Sequence, residues 1–276
     1  MAIISFLSNC IEESGKSSAV ASIGTALGIN HNYKILILDT AYNSYFYQDC
    51  YWRKKNTDNL TNKSEKINIG TGISGLAKAI LSNKVSPEIV TNYTRIVFAD
   101  SRLEILTEAK LYPEEYETYK KTFKDIAKIS NKYYDLVLVD IDKNMDEKTK
   151  NELLEISDIV VVCMVQKLRS INKYLNVRQR NEVLKDKIVI PLIGRYNPSS
   201  KCTRKKVTKY FKEKNKVCTI PYNIQFSDAC NVGKVSDFFI NHRKPNSKDV
   251  NAIFVNEVQE TAEEIITRLQ ELQMQA

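Results

Sequence analysis

The sequence predicts a three-layer α/β fold: a mostly parallel, twisted sheet with helices on both faces. Three observations lead there. The runs "AIISFLS" (2–8), "KILILDT" (34–40), "YDLVLVD" (134–140) and "SDIVVVCMV" (157–165) are apolar throughout rather than alternating, as strands buried on both faces are. Stretches with helical spacing separate them. The 276 residues suffice for one large domain, and no internal repeat or low-complexity linker divides them, so a single domain over 1–276 is expected.

Taken in order, the first strand (2–8) leads into a helix over 16–28, whose Ala19, Val20, Ile23, Ala26 and Leu27 are spaced for one buried face. The second strand (34–40) precedes a polar stretch, 49–66, rich in Lys, Asn and Thr and read as an exposed excursion. "GISGLAKAILSN" (72–83) is a helix with a glycine-marked entrance. "RIVFAD" (95–100) and "LEILTE" (103–108) are short strand candidates. Pro113 opens a helix over 113–131. After the strand 134–140 come a helix at 146–156, the strand 157–165 and a helix at 168–184. "KIVIPLIG" (187–194) is a strand, followed by a basic helix at 202–214, the short strand "KVCTIPY" (216–222) and a terminal amphipathic helix over 256–276.

Composition narrows the function classes. Hydrophobic residues make up 43% and charged residues 27%, ordinary for a soluble globular chain. The formal charge of +8 favours polyanionic partners. Six cysteines include no Cys-x-x-Cys pair and have only His31 and His242 for company, so no structural zinc and a reducing cytoplasm are expected. Cys163 lies in an apolar run and reads as a small buried hydrophobe. The start "MAIISFLSN" lacks a basic leader, and the longest apolar run, near 159–165, is far short of a membrane span. A cytoplasmic protein without an integral membrane segment is expected.

Chemistry concentrates in "SNCIEESGKSSAV" (8–20). A strand, a loop, then Gly15-Lys16-Ser17 opening a helix is the setting in which backbone N–H groups and a helix N-terminus bind phosphate oxygens. Ser14, Gly15, Lys16, Ser17 and Ser18 are the candidate contacts, with Lys16 on the terminal phosphates and the Ser17 hydroxyl on Mg2+, which prefers hard oxygen ligands. Gly-x4-Gly-Lys-[Ser/Thr] fails at its first glycine, here Cys10. Asp39 and Asp140 end buried strands, where open α/β sheets bind ligands. Each could instead be a turn or helix cap; with Lys16 and Ser17 they form a coherent set for holding Mg2+ or orienting water.

The order "IISFLSNCIEESGKSS", "KILILDT", "YDLVLVDID", "SDIVVVCMVQKLRSI", "IVIPLIGRYNPSSK", "TIPYNIQFSDACNVGKVSDFF" resembles the ParA/MinD-type ATPases, the deviant Walker A (SIMIBI) branch of P-loop proteins, over roughly residues 2–240. The resemblance implies a P-loop NTPase-like fold that binds ATP or ADP with Mg2+. It also implies a homodimer acting as a positioning or partition switch with an unidentified protein partner. It assigns Lys16 to the phosphates, Ser17 and Asp140 to Mg2+, and Asp39 to the attacking water. Pro221 would flank the base, and the last quoted stretch would be the loop enclosing it. The sequence also departs from the family. Its first lysine, which reaches a partner's phosphates, falls on Ile11, and its two glycines fall on Glu12 and Glu13. Loss of that charge slows phosphoryl transfer. Glutamates there stiffen the loop and repel a triphosphate unless they turn to solvent. The position after "IVIPLI", often Asn in the family, is Gly194. Nucleotide binding with weak or no hydrolysis is the resulting expectation. A basic group near the "QKLRS" turn (166–170) is a candidate compensation.

Two surfaces remain. "KCTRKKVTKYFKEKNK" (201–216) carries eight basic residues against Glu213, either a solvated helix face or a non-specific DNA patch through Lys201, Arg204, Lys205, Lys206 and Lys209. The terminal helix spaces Val258, Ala262, Ile265, Leu269 and Leu272 as a narrow apolar seam, while five glutamates against Arg268 argue against an anionic membrane. The seam either packs on its own domain or meets a partner. The alternative to a switching ATPase is a pseudo-ATPase adaptor of a partition, conjugation or secretion apparatus. A biosynthetic P-loop enzyme is disfavoured because no second substrate site is visible.

Overall fold

The computed structural model describes residues 1–9, 13–52, 72–82, 85–98, 100, 102–108, 110–211, 216–246 and 248–275. Cys10, Ile11, Glu12, most of the polar stretch 49–66 and residues 212–215 lie outside them.

The chain runs β1 (Ala2–Ser8), α1 (Lys16–Asn30), β2 (Ile35–Asp39), α2 (Phe46–Tyr51), α3 (Gly72–Leu81), β3 (Arg95–Ile96), β4 (Leu103–Leu106), α4 (Pro113–Tyr119), α5 (Phe123–Ser130) and β5 (Leu136–Asp140). It continues through α6 (Glu147–Glu155), β6 (Ile159–Met164), α7 (Leu168–Arg180), α8 (Glu182–Lys185), β7 (Ile188–Tyr196), α9 (Arg204–Phe211) and β8 (Cys218–Pro221). It ends with α10 (Ile224–Asn231), α11 (Val235–Asn241) and α12 (Ala252–Gln275).

One eight-stranded sheet has the order β3-β4-β2-β5-β1-β6-β7-β8. All its described pairings are parallel except β3 with β4 at the edge. The continuous apolar character of the strands follows from two-sided burial. Along β1, Ala2, Ile4 and Phe6 enter one core while Ile3 and Leu7 enter the other. Ile35 and Ile37 likewise oppose Leu36 and Leu38 on β2, and Leu136 and Leu138 oppose Val137 and Val139 on β5. Each face therefore has its own layer of helices, as the sequence predicts.

Several elements differ from expectation for packing reasons. Helix α1 is buried continuously from Ala19 to Gly28 rather than along one face, because α11 and α12 cover the side away from the sheet. Residues 46–51, partly assigned to the exposed excursion, form α2, with Tyr47, Cys50 and Tyr51 buried against α10 and α1. The helix expected at 113–131 is interrupted by a 3-10 turn at Lys120–Thr122, and that at 168–184 breaks at Asn181, whose side chain caps α8. The stretch expected as a base-enclosing loop contains α10 and α11, built around edge-to-face and tilted contacts among Phe226, Phe238, Phe239 and Phe254.

The seam of α12 faces inward. Val258, Ala262, Ile265 and Leu269 are buried and Leu272 packs beside them, with α12 lying along α1 and β8. Its acidic face serves internal contacts: Glu257 and Glu260 hold Arg204, Glu260 also binds Lys216, Glu257 accepts from Thr219 Oγ1 at 2.6 Å, and Glu263 meets His31. Among the described residues no helix is long and apolar enough to cross a membrane.

Candidate nucleotide site

The carboxyl ends of β1, β2 and β5 lie side by side, so register alone brings their terminal residues together: Phe6 pairs with Asp140, and Asp39 with Asp140. Between β1 and α1 the chain must reverse into a helix. Gly15 does this as the N-cap of α1 with φ +72°, a left-handed conformation that costs glycine nothing. The first turn of α1 contains no acidic residue, leaving its N–H groups and positive dipole end for an anion.

Lys16, at the first position of α1, forms an ion pair with Asp140 Oδ1, while Tyr47 donates its hydroxyl to Asp140 Oδ2 at 2.7 Å. Asp39 accepts from Thr107 Oγ1 at 3.0 Å and from the Ala41 amide at 3.1 Å. Thr40 ties the two strand ends, donating to the Asp140 carbonyl and accepting from the Asp142 amide, both at 2.9 Å. Burial dominates the electrostatics. It pushes the Asp39 carboxyl up to about 6, against the opposing pull of its two hydrogen bonds and Lys16. It also lowers the Lys16 ammonium to about 8, with neighbouring anions limiting the fall. At neutral pH both groups are mostly charged.

Two adjoining hollows flank this constellation. One, of about 360 Å3, is lined by Ser14, Lys16, Ser17, Ala41, Asp142 and Lys143. The other, of about 290 Å3, is lined by Arg195, Pro221, Tyr222, Asn223, Phe226 and Cys230. Glu13, Gly15, Ser18 and Phe46 belong to both. The first offers hydroxyls, a helix N-terminus and an ammonium, a chemistry suited to phosphate. The second offers a flat aromatic and proline wall suited to a base. Ser17, Asp39, Asp140 and Asp142 supply hard oxygen donors beside the phosphate hollow, so the residues fit Mg2+. Among the described residues no group of three or more His, Cys, Asp or Glu is arranged to hold a metal ion by protein ligands alone.

The structure joins Lys16, Ser17, Asp39 and Asp140 in one place and puts Pro221 and Ser18 on the neighbouring wall. The hydroxyl of Ser14 donates instead to Ser8 Oγ at 3.1 Å. The departures in the loop acquire physical reasons. The Gly194 α-carbon lies so close to the loop that a β-carbon there would be 2.0 Å from the Ser14 carbonyl oxygen. Asn cannot replace glycine at that approach. Glu13 turns outward, 85% exposed, and accepts from Arg195 Nη1 at 3.1 Å. Arg195 holds φ at +50° and also lies over the Tyr222 ring, 5.1 Å from its centroid. The cation at the loop thus comes from the end of β7. In the turn at 166–170, Gln166 braces residues 197–202 through Asn197 and Cys202.

Arg195, Tyr47 and Thr107 are site residues the sequence reading missed, whereas Tyr222 lies in the stretch that the resemblance placed around the base. On the basic helix, Lys201, Lys205, Lys206 and Lys209 are exposed, but Arg204 does not join them. Its guanidinium is bound to Glu257 and Glu260 of α12, which removes it from the expected DNA-facing set.

No protein-family model and no curated protein sequence matches the chain. Solved structures do. A ParA family ATPase from Chlorobium tepidum superposes with a TM-score of 0.69 at 15% identity, covering 95% of this chain and 98% of that one. The septum site-determining protein MinD from Pyrococcus horikoshii, complexed with Mg-ADP, gives 0.66 at 15% identity over 96% and 97%. A plasmid partition protein from Borrelia burgdorferi bound to AMPPNP gives 0.56 at 19% identity over 98% of each chain. The chain has the fold of the ParA/MinD ATPases.

Proposed function

We propose that this protein binds ATP or ADP with Mg2+ and acts as a dimeric ParA/MinD-like positioning or partition switch with weak or no hydrolysis. The observation that carries the reading is the pair of adjoining hollows, one polar and one aromatic, meeting at Gly15 and Ser18 at the start of α1. A nucleotide places its phosphates at Lys16 and Ser17 and its base against Pro221 and Tyr222. Two fold neighbours, the MinD with Mg-ADP and the partition protein with AMPPNP, support this placement by analogy.

In this reading Lys16 moves from Asp140 to the phosphates, and Ser17 and Asp140 hold the metal ion. Mg2+ held there would supply charge neutralisation on the phosphate oxygens. Asp39, the buried carboxylate nearest the Lys16–Asp140 pair in register, orients water. The exposed lysines of α9 supply sequence-independent affinity for DNA, and a dimer presents two such patches, which raises avidity.

The absence of a lysine at position 11 supports slow turnover and also favours the second reading, a pseudo-ATPase adaptor, whereas Glu13 is turned to solvent and paired with Arg195. Phosphate release from ATP separates the two. An enzyme shows turnover that Lys16→Ala abolishes, and the triple change Ile11→Lys, Glu12→Gly, Glu13→Gly raises it. Binding without turnover, before and after that restoration, identifies the adaptor. Turnover equal to that of a working ParA ATPase assayed alongside, and unchanged by restoration, would contradict the impaired-loop account.

A further inference from the structure

Two cations line the phosphate hollow among the described residues, Lys16 and Lys143. Lys16 is paired with Asp140. Arg195 borders the aromatic hollow instead, where Glu13 and the Tyr222 ring hold it. Lys143 has no such engagement. Its side chain is exposed and makes no hydrogen bond or ion pair with the described residues.

The backbone that carries Lys143 is nevertheless fixed on both sides. Before it, the Ile141 amide donates to the Phe6 carbonyl at 3.1 Å, and the Asp142 amide to Thr40 Oγ1 at 2.9 Å. After it, the Asn144 amide donates to Asp142 Oδ1 at 3.1 Å and the Met145 amide to the Asp142 carbonyl at 3.2 Å. Met145 is then buried in the core. The ends of β1 and β2 therefore hold the turn at the rim of the hollow, while the lysine stem stays free. Lys143 also borders a second hollow, of about 720 Å3, which already contains Lys150, Lys173 and Arg180. The two carboxylates there have lysines of their own: Glu147 pairs with Lys150, and Glu182 with Lys185. Like charge repels the ammonium from that side, whereas the phosphate hollow presents the carboxylates of Glu13 and Asp142.

We propose that Lys143 is a second phosphate-binding cation, whose ammonium binds the terminal phosphate of a triphosphate and so makes the site prefer ATP to ADP. The assignment rests on the nucleotide reading and names what selects the ligand within it. Lys16 reaches the hollow from the start of α1 and Lys143 from the end of β5, so two elements grip the phosphate chain. A compact ammonium with three donors on a flexible stem suits non-bridging phosphate oxygens. ADP retains the contacts of Lys16 and Ser17 but lacks the group that Lys143 meets. A charge that binds the triphosphate before reaction lowers its dissociation constant without speeding hydrolysis, so the assignment agrees with weak turnover.

The test is calorimetric titration of Mg-AMPPNP and of Mg-ADP into the native protein, Lys143→Gln and Lys143→Arg. The native protein should prefer Mg-AMPPNP. Lys143→Gln should weaken Mg-AMPPNP by about tenfold or more and Mg-ADP by less than about twofold. Lys143→Arg, which keeps the charge, should stay within about threefold of the native protein for both. The urea midpoint of Lys143→Gln should equal that of the native protein, since the side chain is exposed and unpaired. Equal native affinity for the two nucleotides, equal losses for both in Lys143→Gln, or the same loss in the Arg variant as in the Gln variant would each overturn the assignment and leave the nucleotide reading standing. Binding of neither nucleotide by the native protein would refute that reading and the assignment with it.

Discussion

Asp39 is held at a cost. Its carboxyl is buried, and its raised pKa of about 6 against an ordinary 3.8 means that folding disfavours its charged form. The folded state binds the proton more tightly than the unfolded chain, so stability falls as pH rises from about 4 to about 6 and stays lowered above. A shift of about two units corresponds to roughly 3 kcal/mol. Asp39→Asn keeps the Oδ1 acceptor for the Ala41 amide, and its Nδ2 can donate to Thr107 Oγ1 in place of the bond accepted there, while the charge is removed. It should stabilise the ligand-free protein by roughly 1–3 kcal/mol at pH 8 and by almost nothing at pH 4. Urea unfolding at the two pH values checks this, and equal stabilisation at both would contradict the burial argument. The same substitution should abolish any ATP turnover, because the group destabilised in the fold is the one proposed to orient water.

At the scale of elements, α12 is the clearest structural commitment. Ile265 is completely buried on the face that meets the core. Ile265→Ala should cost roughly 2–4 kcal/mol, read as a lower urea midpoint. A cost below about 1 kcal/mol would mean that the helix is loosely docked. How much was legible in the sequence depended on what identified each element. The central strands could be read because burial on both faces makes them apolar throughout. Helix α2 could not, because it is six residues long, adjoins a polar stretch, and is buried through three residues against α10, α1 and α11, which lie elsewhere in the sequence. Phe226, Phe238 and Phe239 were read as part of a loop because their partner Phe254 lies on α12. Within the site, Lys16, Asp39 and Asp140 were legible because each sits at the end of a strand or the start of a helix. Arg195 and Tyr47 were not: their partners Glu13 and Asp140 lie 182 and 93 residues away in sequence.

At the scale of the whole molecule, two faces of opposite character carry the functional reading. The lysine face of α9 should give salt-sensitive DNA binding. Lys205→Glu, Lys206→Glu and Lys209→Glu together should weaken it and flatten its dependence on salt. Arg204→Gln should lower stability by up to about 1 kcal/mol through lost α12 contacts while changing the salt slope little. A slope that changes as much with Arg204 as with the lysines would return Arg204 to the DNA face. The nucleotide face is the central claim, and calorimetric titration of Mg-ADP into the protein and into Lys16→Ala tests it most directly. The account predicts one site per chain in the native sequence and at least tenfold weaker binding in Lys16→Ala, a loss of about 1.4 kcal/mol or more. Absence of binding to the native protein, or equal affinity in both, would contradict it.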